Sequence, residues 1–446
     1  MKKLVLLGLD GAVPTLLEAY ASQGKLPHIQ RLINSGYYTR ALSSFPGVTP
    51  INWASVITGA HPGTHGIVDF ELHEANEPLN IKHGAFSSDK LLAETLWESL
   101  HRQGYRTATI NFPGSWPPRI PDLVTVAGTG SPATHSPFEL RPSSCFATTN
   151  LHPFMREADP LNMPHDIIHL QPEWDPSGLG PRLAVDLKKT PSGHCIHIRS
   201  LNRVVTDFAY DAEINRFSPW FAGEFVVHGS VVEGYFRILV SRFDTASSSP
   251  AVALYISQVM PTNKISDPES LGPELIQTAG PMIENSGGRG YERGWINDEI
   301  FLLEGTDKGR WLAKAAETLL TDHHIDAVFV KWHFLDHLQH LFWGYIDPIS
   351  PWYNPDQAEH FESLFVAAYQ TADKMIGNLI ESLGADDIFV AVSDHGHIPH
   401  LKVVSINNLL RREGFLHLRQ TDPLNSTNIT LGTGFKAEFV MTCVLH

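Results

Sequence analysis

Asp326-Ala327-Val328-Phe329-Val330-Lys331-Trp332-His333-Phe334-Leu335-Asp336-His337-Leu338-Gln339-His340 is the stretch that decides the fold. Its first half, Ala327 to Val330, is a short apolar run of β-branched and aromatic residues, which predicts a buried strand of a parallel sheet. Its second half places Asp336 and His340 four residues apart. On a helical turn those positions share one face, so a carboxylate and an imidazole point at the same spot. An oxygen and an imidazole nitrogen together suit a divalent ion such as zinc. Taken alone, the pair reads more simply as a surface Asp–His contact.

Two further runs repeat the arrangement. Ile388-Phe389-Val390-Ala391-Val392 reads as another buried strand and ends in Ser393-Asp394-His395-Gly396. Leu4 to Leu9 reads as the first strand and ends in Asp10-Gly11. Three apolar strands thus deliver acidic residues at their C-terminal ends, the edge where open α/β sheets bind ligands.

The chain has 446 residues, 42% hydrophobic and 18% charged, and a formal net charge of -15. It is long enough for a large core and more than one unit. The negative balance argues against a nucleic-acid polymer as partner. A small phosphorylated molecule stays open, because bound metal reverses the local field. The three cysteines, Cys145, Cys195 and Cys443, form no disulfide framework. Met1-Lys2-Lys3 runs straight into the first strand, and Asp10 interrupts the signal-like apolar run. No run reaches membrane-spanning length. The expected compartment is a reducing cytoplasm, with no membrane partner.

Between these strands the pattern alternates. Helices are expected from Pro14 and over Leu26–Asn34, a strand over Tyr37–Leu42, a helix over Asp89–Arg102 and a strand over Thr107–Asn111. Thr49-Pro50 reads as an N-cap followed by a first-turn proline. A threonine there is either a plain cap or a nucleophile, since a helix N-terminus favours an anion. As a nucleophile it needs a metal or base beside it. His61 and His65, in a Gly- and Pro-rich loop, read as satisfied loop histidines. From about 130 to 180 no period is clear, and from about 183 to 262 the alternation is that of antiparallel strands. Helices resume over Thr306–Leu320, Pro355–Leu383 behind an Asn354 cap, and from Ser405 to Gly414. The tail from about 420 shows no element. The expected fold is α/β, a mostly parallel central sheet flanked by helices. It is built from residues 1–130 and 280–446, with a loop-rich then β-rich insertion over 131–280.

Asp10, Thr49, Asp336, His340, Asp394 and His395, in that order, resemble the alkaline phosphatase superfamily. The likeness is to its type I phosphodiesterase / nucleotide pyrophosphatase branch, prokaryotic members included. The matching stretches are Leu-Gly-Leu-Asp-Gly ending at Gly11, Thr-Pro-Ile-Asn-Trp-Ala-Ser from Thr49, and Thr-Gly-Ala-His-Pro-Gly-Thr-His-Gly-Ile from Thr58. Asp-His-Leu-Gln-His from Asp336 and Ser-Asp-His-Gly from Ser393 complete them. The resemblance implies a hydrolase of phosphodiester or pyrophosphate bonds acting through a phospho-threonine on Thr49. It implies two divalent ions, zinc first, with manganese or iron as alternatives. Asp10, Asp394 and His395 would hold one ion beside Thr49, and Asp336 and His340 the other.

The chain departs from that family at two points. The family's asparagine near the phosphoryl group falls here around Asp69-Phe70. The family's third histidine on the Asp336–His340 ion lies downstream in a Gly-Thr-His-like context that this chain lacks. His397 follows His395 closely and is expected to turn away. His400, His417 and His446 also lie outside the family context. The expectation is therefore an incompletely coordinated second ion and impaired activity, as in a chain cut short at its C-terminus. Two other readings stay open. One is a non-catalytic relative that binds a phosphorylated ligand. The other is a phosphotransfer enzyme of the cofactor-independent phosphoglycerate mutase type, against which Thr49 argues because serine is usual there.

Overall fold

In the computed structural model, β1 (Leu4–Leu9) occupies the interior of a six-stranded sheet. With β2 (Thr107–Ile110), β3 (Val124–Val126), β4 (Ser266–Asp267), β5 (Ala327–Trp332) and β6 (Ile388–Val392), the spatial order is β4-β3-β2-β5-β1-β6. All neighbours are parallel except β4, which runs against β3. Leu4 pairs with Ala327 on one side and Ile388 on the other, so all three strand ends meet at one edge. The structure describes residues 2–78, 81–127, 139–147, 209–227, 229–244, 251–284, 287–399, 401–402 and 404–415, with strand backbone within 156–200 and 430–436.

The continuous apolar runs follow from burial on both faces. Val5, Leu7, Leu9, Val328, Val330 and Trp332 pack against α5 (Asp298–Thr321) and α7 (Pro355–Glu381). Leu6, Phe329 and Ala327 face the other way, onto Trp53, Ile57 and Trp97 of α3 (Thr49–Thr58) and α4 (Leu96–Arg102). The helices α1 (Pro14–Ser22) and α2 (Pro27–Ser35) start on proline as expected. α6 (Phe334–Ile346) follows β5 directly, and α8 (Ile406–Arg412) is capped by Ser405.

Three expectations are corrected. The helix drawn over Asp89–Arg102 starts only at Leu96. Thr95 and Glu98 form a capping box there, and Ser88–Lys90 is a separate 3-10 turn. Tyr37–Leu42 is not a strand. Among the described residues no neighbour offers it a hydrogen-bonding edge, and Tyr37 and Leu42 are 91% and 101% exposed. β6 is not buried either: it pairs with β1 alone among the described strands, and Ile388 is half exposed.

The β-rich region forms antiparallel pairs, Leu183–Thr190 with Gly193–Ser200, Phe221–Val227 with Ser230–Phe236, and Ile238–Asp244 with Ala251–Ile256. They share a separate core around Phe225, Phe236, Ile238 and Leu254. Arg237 and Tyr255 join it to Asp307 and Glu304 of α5. Most of the loop from 130 to 180 and most of the tail beyond 415 lie outside the described residues. No described helix is long and apolar enough to cross a membrane.

Candidate metal centre

The C-terminal edge of the sheet gathers its residues from strand ends. Asp10 follows β1, His333 follows β5, Asp394 and His395 follow β6, Asp336 and His340 stand on the first two turns of α6, and Thr49 opens α3. Gly11 makes the convergence possible. Its φ is 66°, its N–H donates to Asp394 Oδ1 at 3.1 Å, and its carbonyl accepts from Gln339 Nε2 at 2.8 Å. A Cβ there would stand 2.9 Å from the Asp336 Cβ.

Asp10, Asp336 and Asp394 are all buried. On Asp10 the two oxygens differ. Oδ2 accepts from Trp53 Nε1 at 3.2 Å and His333 Nδ1 at 2.8 Å, and lies 2.5 Å from Lys331 Nζ. Oδ1 has no hydrogen-bond partner among the described residues, and neither has Asp336 Oδ1 nor Asp394 Oδ2. Buried carboxylate oxygens are costly to leave unpaired. All three orphans face His395 Nε2, from 3.6, 4.0 and 3.5 Å respectively.

His395 Nδ1 donates to the Gly396 carbonyl at 2.9 Å, which turns the Nε2 lone pair inward. Thr49 Oγ1 lies 3.1 Å from that nitrogen. Thr49 is therefore no cap. It is the first helical residue, and its hydroxyl makes no cap bond. Burial opposes charge on His395, but Asp394, Asp10 and Asp336 outweigh it and hold its pKa up. Burial and the neighbouring Asp10 push Asp394 well above the usual carboxylate range. Asp10 itself is held far below that range: burial opposes this, and Lys331 and His333 overcome it.

Asp336 and His340 meet as one helical face predicts, at 3.4 Å. Against burial, the His340 contact brings Asp336 down to about 2. The expectation that His397 turns away is overturned. Its Nδ1 lies 3.9 Å from Asp336 Oδ1, and its ring stands edge-on to His340 at 4.8 Å, packed against Trp343. The chain beyond His395 folds back over α6 instead of leaving the edge. His400, His417 and His446 lie outside the described residues.

Among the described residues four groups have ligand atoms close enough to hold a divalent ion, and three lie here: Asp10–Asp394–His395, Asp336–His340–His397 and, sharing their carboxylates, Asp10–His333–Asp336, each within 4.8 Å. Their donor sets, two oxygens with one nitrogen and one oxygen with two nitrogens, suit zinc or manganese. The unpaired carboxylate oxygens are where such ions would be accommodated.

Residues 4–162 and 274–443 match the model of the type I phosphodiesterase / nucleotide pyrophosphatase family. The chain belongs to that family. Among its relatives, ectonucleotide pyrophosphatase/phosphodiesterase family member 1 of Homo sapiens is 30% identical over 115 residues, 25% of this chain and 12% of that protein. A venom phosphodiesterase of Macrovipera lebetinus is 28% identical over 116 residues, 25% of this chain and 13% of its own. The matched stretch is thus a small part of each relative's length. A solved phosphonoacetate hydrolase from Sinorhizobium meliloti 1021, bound to phosphonoformate, aligns over 92% of this chain and 62% of its own. The identity is 15% and the TM-score 0.39.

Other residues of this family member sort themselves by contact. His65 is buried; its Nδ1 accepts from the Ile67 N–H and its Nε2 meets Ser55 Oγ at 3.1 Å, a satisfied loop histidine as expected. Asp69 is exposed and accepts from the Phe70 N–H. Lys331, His333 and Trp53 carry no role in the sequence reading, and His397 was expected to turn away. Lys331 carried a signal there, a charge set inside an apolar strand.

Proposed function

We propose that this chain is a metal-dependent hydrolase of phosphodiester or pyrophosphate bonds in small phosphorylated molecules, with Thr49 as nucleophile. The supporting observation is the Thr49 hydroxyl, freed from capping and set 3.1 Å from His395 Nε2 where three unpaired carboxylate oxygens point. Asp10, Asp394 and His395 would hold one ion, and Asp336, His340 and His397 the other. When bound, such ions would supply Lewis-acid charge at the nucleophile and the leaving oxygen. Thr49 Oγ1 gives up its proton to solvent and bonds to phosphorus as the P–O bond to the leaving group breaks, and the leaving oxygen takes a proton from water. Water then cleaves the phospho-threonine and restores the hydroxyl. The start of α3 presents backbone N–H groups and the positive end of the helix dipole to the phosphoryl oxygens.

The second reading, a non-catalytic binder, rests on the lack of a third histidine in the family's sequence context; His397 Nδ1, 3.9 Å from Asp336 Oδ1, supports the enzyme instead. The deciding experiment combines metal analysis with hydrolysis of bis-p-nitrophenyl phosphate and p-nitrophenyl phosphate. Two ions per chain with turnover of the diester are expected. One ion or none, with no turnover of either ester, refutes the enzyme.

A further inference from the structure

β5 ends in Lys331-Trp332, His333 follows at the start of α6, and Lys331 and His333 both reach Asp10 Oδ2. Lys331 pairs in register with Gly8 on β1, two residues before Asp10. Gly8 is needed there, because a Cβ would fall 2.5 Å from the Trp53 ring. That ring in turn brings Nε1 to Asp10 Oδ2. Lys331 is fully buried, its ammonium 2.5 Å from the same oxygen. A centre built only for tight cation binding would not place a buried cation against one of its ligands. The lysine opposes whatever cation Asp10 accepts, and burying it is expensive unless the pairing is good.

We propose that Lys331 is a positioning residue that holds Asp10 to binding through Oδ1 alone and draws charge from that carboxylate. The ion at Asp10–Asp394–His395 is then held less tightly and remains electron-poor beside Thr49. This rests on the metal-dependent reading above. Two effects compete when the charge is removed. Trp53 and His333 still hold Oδ2, so orientation is largely kept. The loss of a like charge against a buried ligand is the larger effect and favours the ion.

The test is Lys331→Met in the full chain, stripped with chelator and titrated with zinc against a chromophoric competitor. The affinity of one site should tighten by about tenfold or more. kcat for the diester should fall about tenfold while KM stays within about threefold. A merely structural ion pair would instead leave zinc bound equally or less tightly, and that result overturns the proposal. If Lys331→Met does not fold, Trp53→Phe and His333→Phe decide it. They remove donors to Oδ2 and keep the charge, so zinc must bind no more tightly than in the parent, and tighter binding overturns the proposal. A parent that takes up no zinc overturns this proposal together with the metal reading. A parent that binds zinc beside an indifferent Lys331→Met overturns this proposal alone.

Discussion

Glu304→Gln tests the joint between the insertion and α5. Glu304 is fully buried; Tyr255 Oη donates to its Oε2 at 3.1 Å, and Arg237 Nη2 lies 3.7 Å from Oε1. Burial raises its carboxyl from 4.5 to about 7, against the pull of Arg237 and Tyr255 and with some help from Asp307. The folded state therefore holds a proton that the unfolded chain releases near pH 4.5. Stability linked to that proton is whole below the unfolded value, falls as pH rises, and is lost above about pH 7. The full gap is worth about 3 kcal/mol, and about 2 to 3 kcal/mol of it falls between pH 5 and 8. Glutamine keeps an acceptor for Tyr255 and carries no charge, while Arg237 keeps Asp307 at 2.9 Å. Urea unfolding of parent and variant, both with chelator present, should show the variant gaining about 2 to 3 kcal/mol on the parent from pH 5 to pH 8. Curves that stay parallel across that range refute the assignment of Glu304 as the buried proton.

Thr49→Ala should abolish diester hydrolysis while zinc uptake persists. Because the hydroxyl caps nothing, unfolding should shift by no more than about 1 kcal/mol, and turnover at the parent rate rejects the nucleophile. His397→Ala should weaken one of two zinc sites by about a hundredfold or more, since a direct ligand matters at least as much as an outer-shell partner. Competitive titration reads it, and two undiminished sites return the third ligand to some other residue. Gly11→Ala forces a side chain into left-handed backbone, costing roughly 1–2 kcal/mol, and drives its Cβ onto Asp336. Thermal unfolding should drop and zinc stoichiometry fall, and an unchanged pair of values contradicts the close approach.

The ends of β1 and β5 were legible because a strand buried on both faces writes its signature locally, as Ala327–Val330 does, whereas β6 carries the same apolar run without the burial. The Asp336–His340 face was legible because helical spacing is local too. His397 was not, since whether a chain folds back after a strand depends on what it packs against, here Trp343 and His340. Tyr37–Leu42 has strand chemistry, but a strand also needs a neighbour's hydrogen bonds, which sequence cannot supply. Thr49-Pro50 looks identical whether the hydroxyl caps the helix or faces a histidine 346 positions away. The start of α4 was readable in Thr95 and Glu98 and was placed too early because Asp89 also resembles a cap.

β1 is made before the other strands of its sheet, yet its two neighbours come from residues 327–332 and 388–392. The Gly11–Asp394 hydrogen bond spans 383 positions. At roughly 5–20 residues per second, that is roughly 20 to 80 seconds of synthesis. Until residues 327–332 are made the nascent β1 has both edges unsatisfied, and until 388–392 it has one, the condition under which strands pair with the wrong chain. Asp10 and Thr49 likewise wait on the ribosome-bound chain without their partners. Loading of either proposed metal site would therefore be a late event in the life of the polypeptide, following emergence of the segment from Asp394 to His397 and its docking beside the first strand.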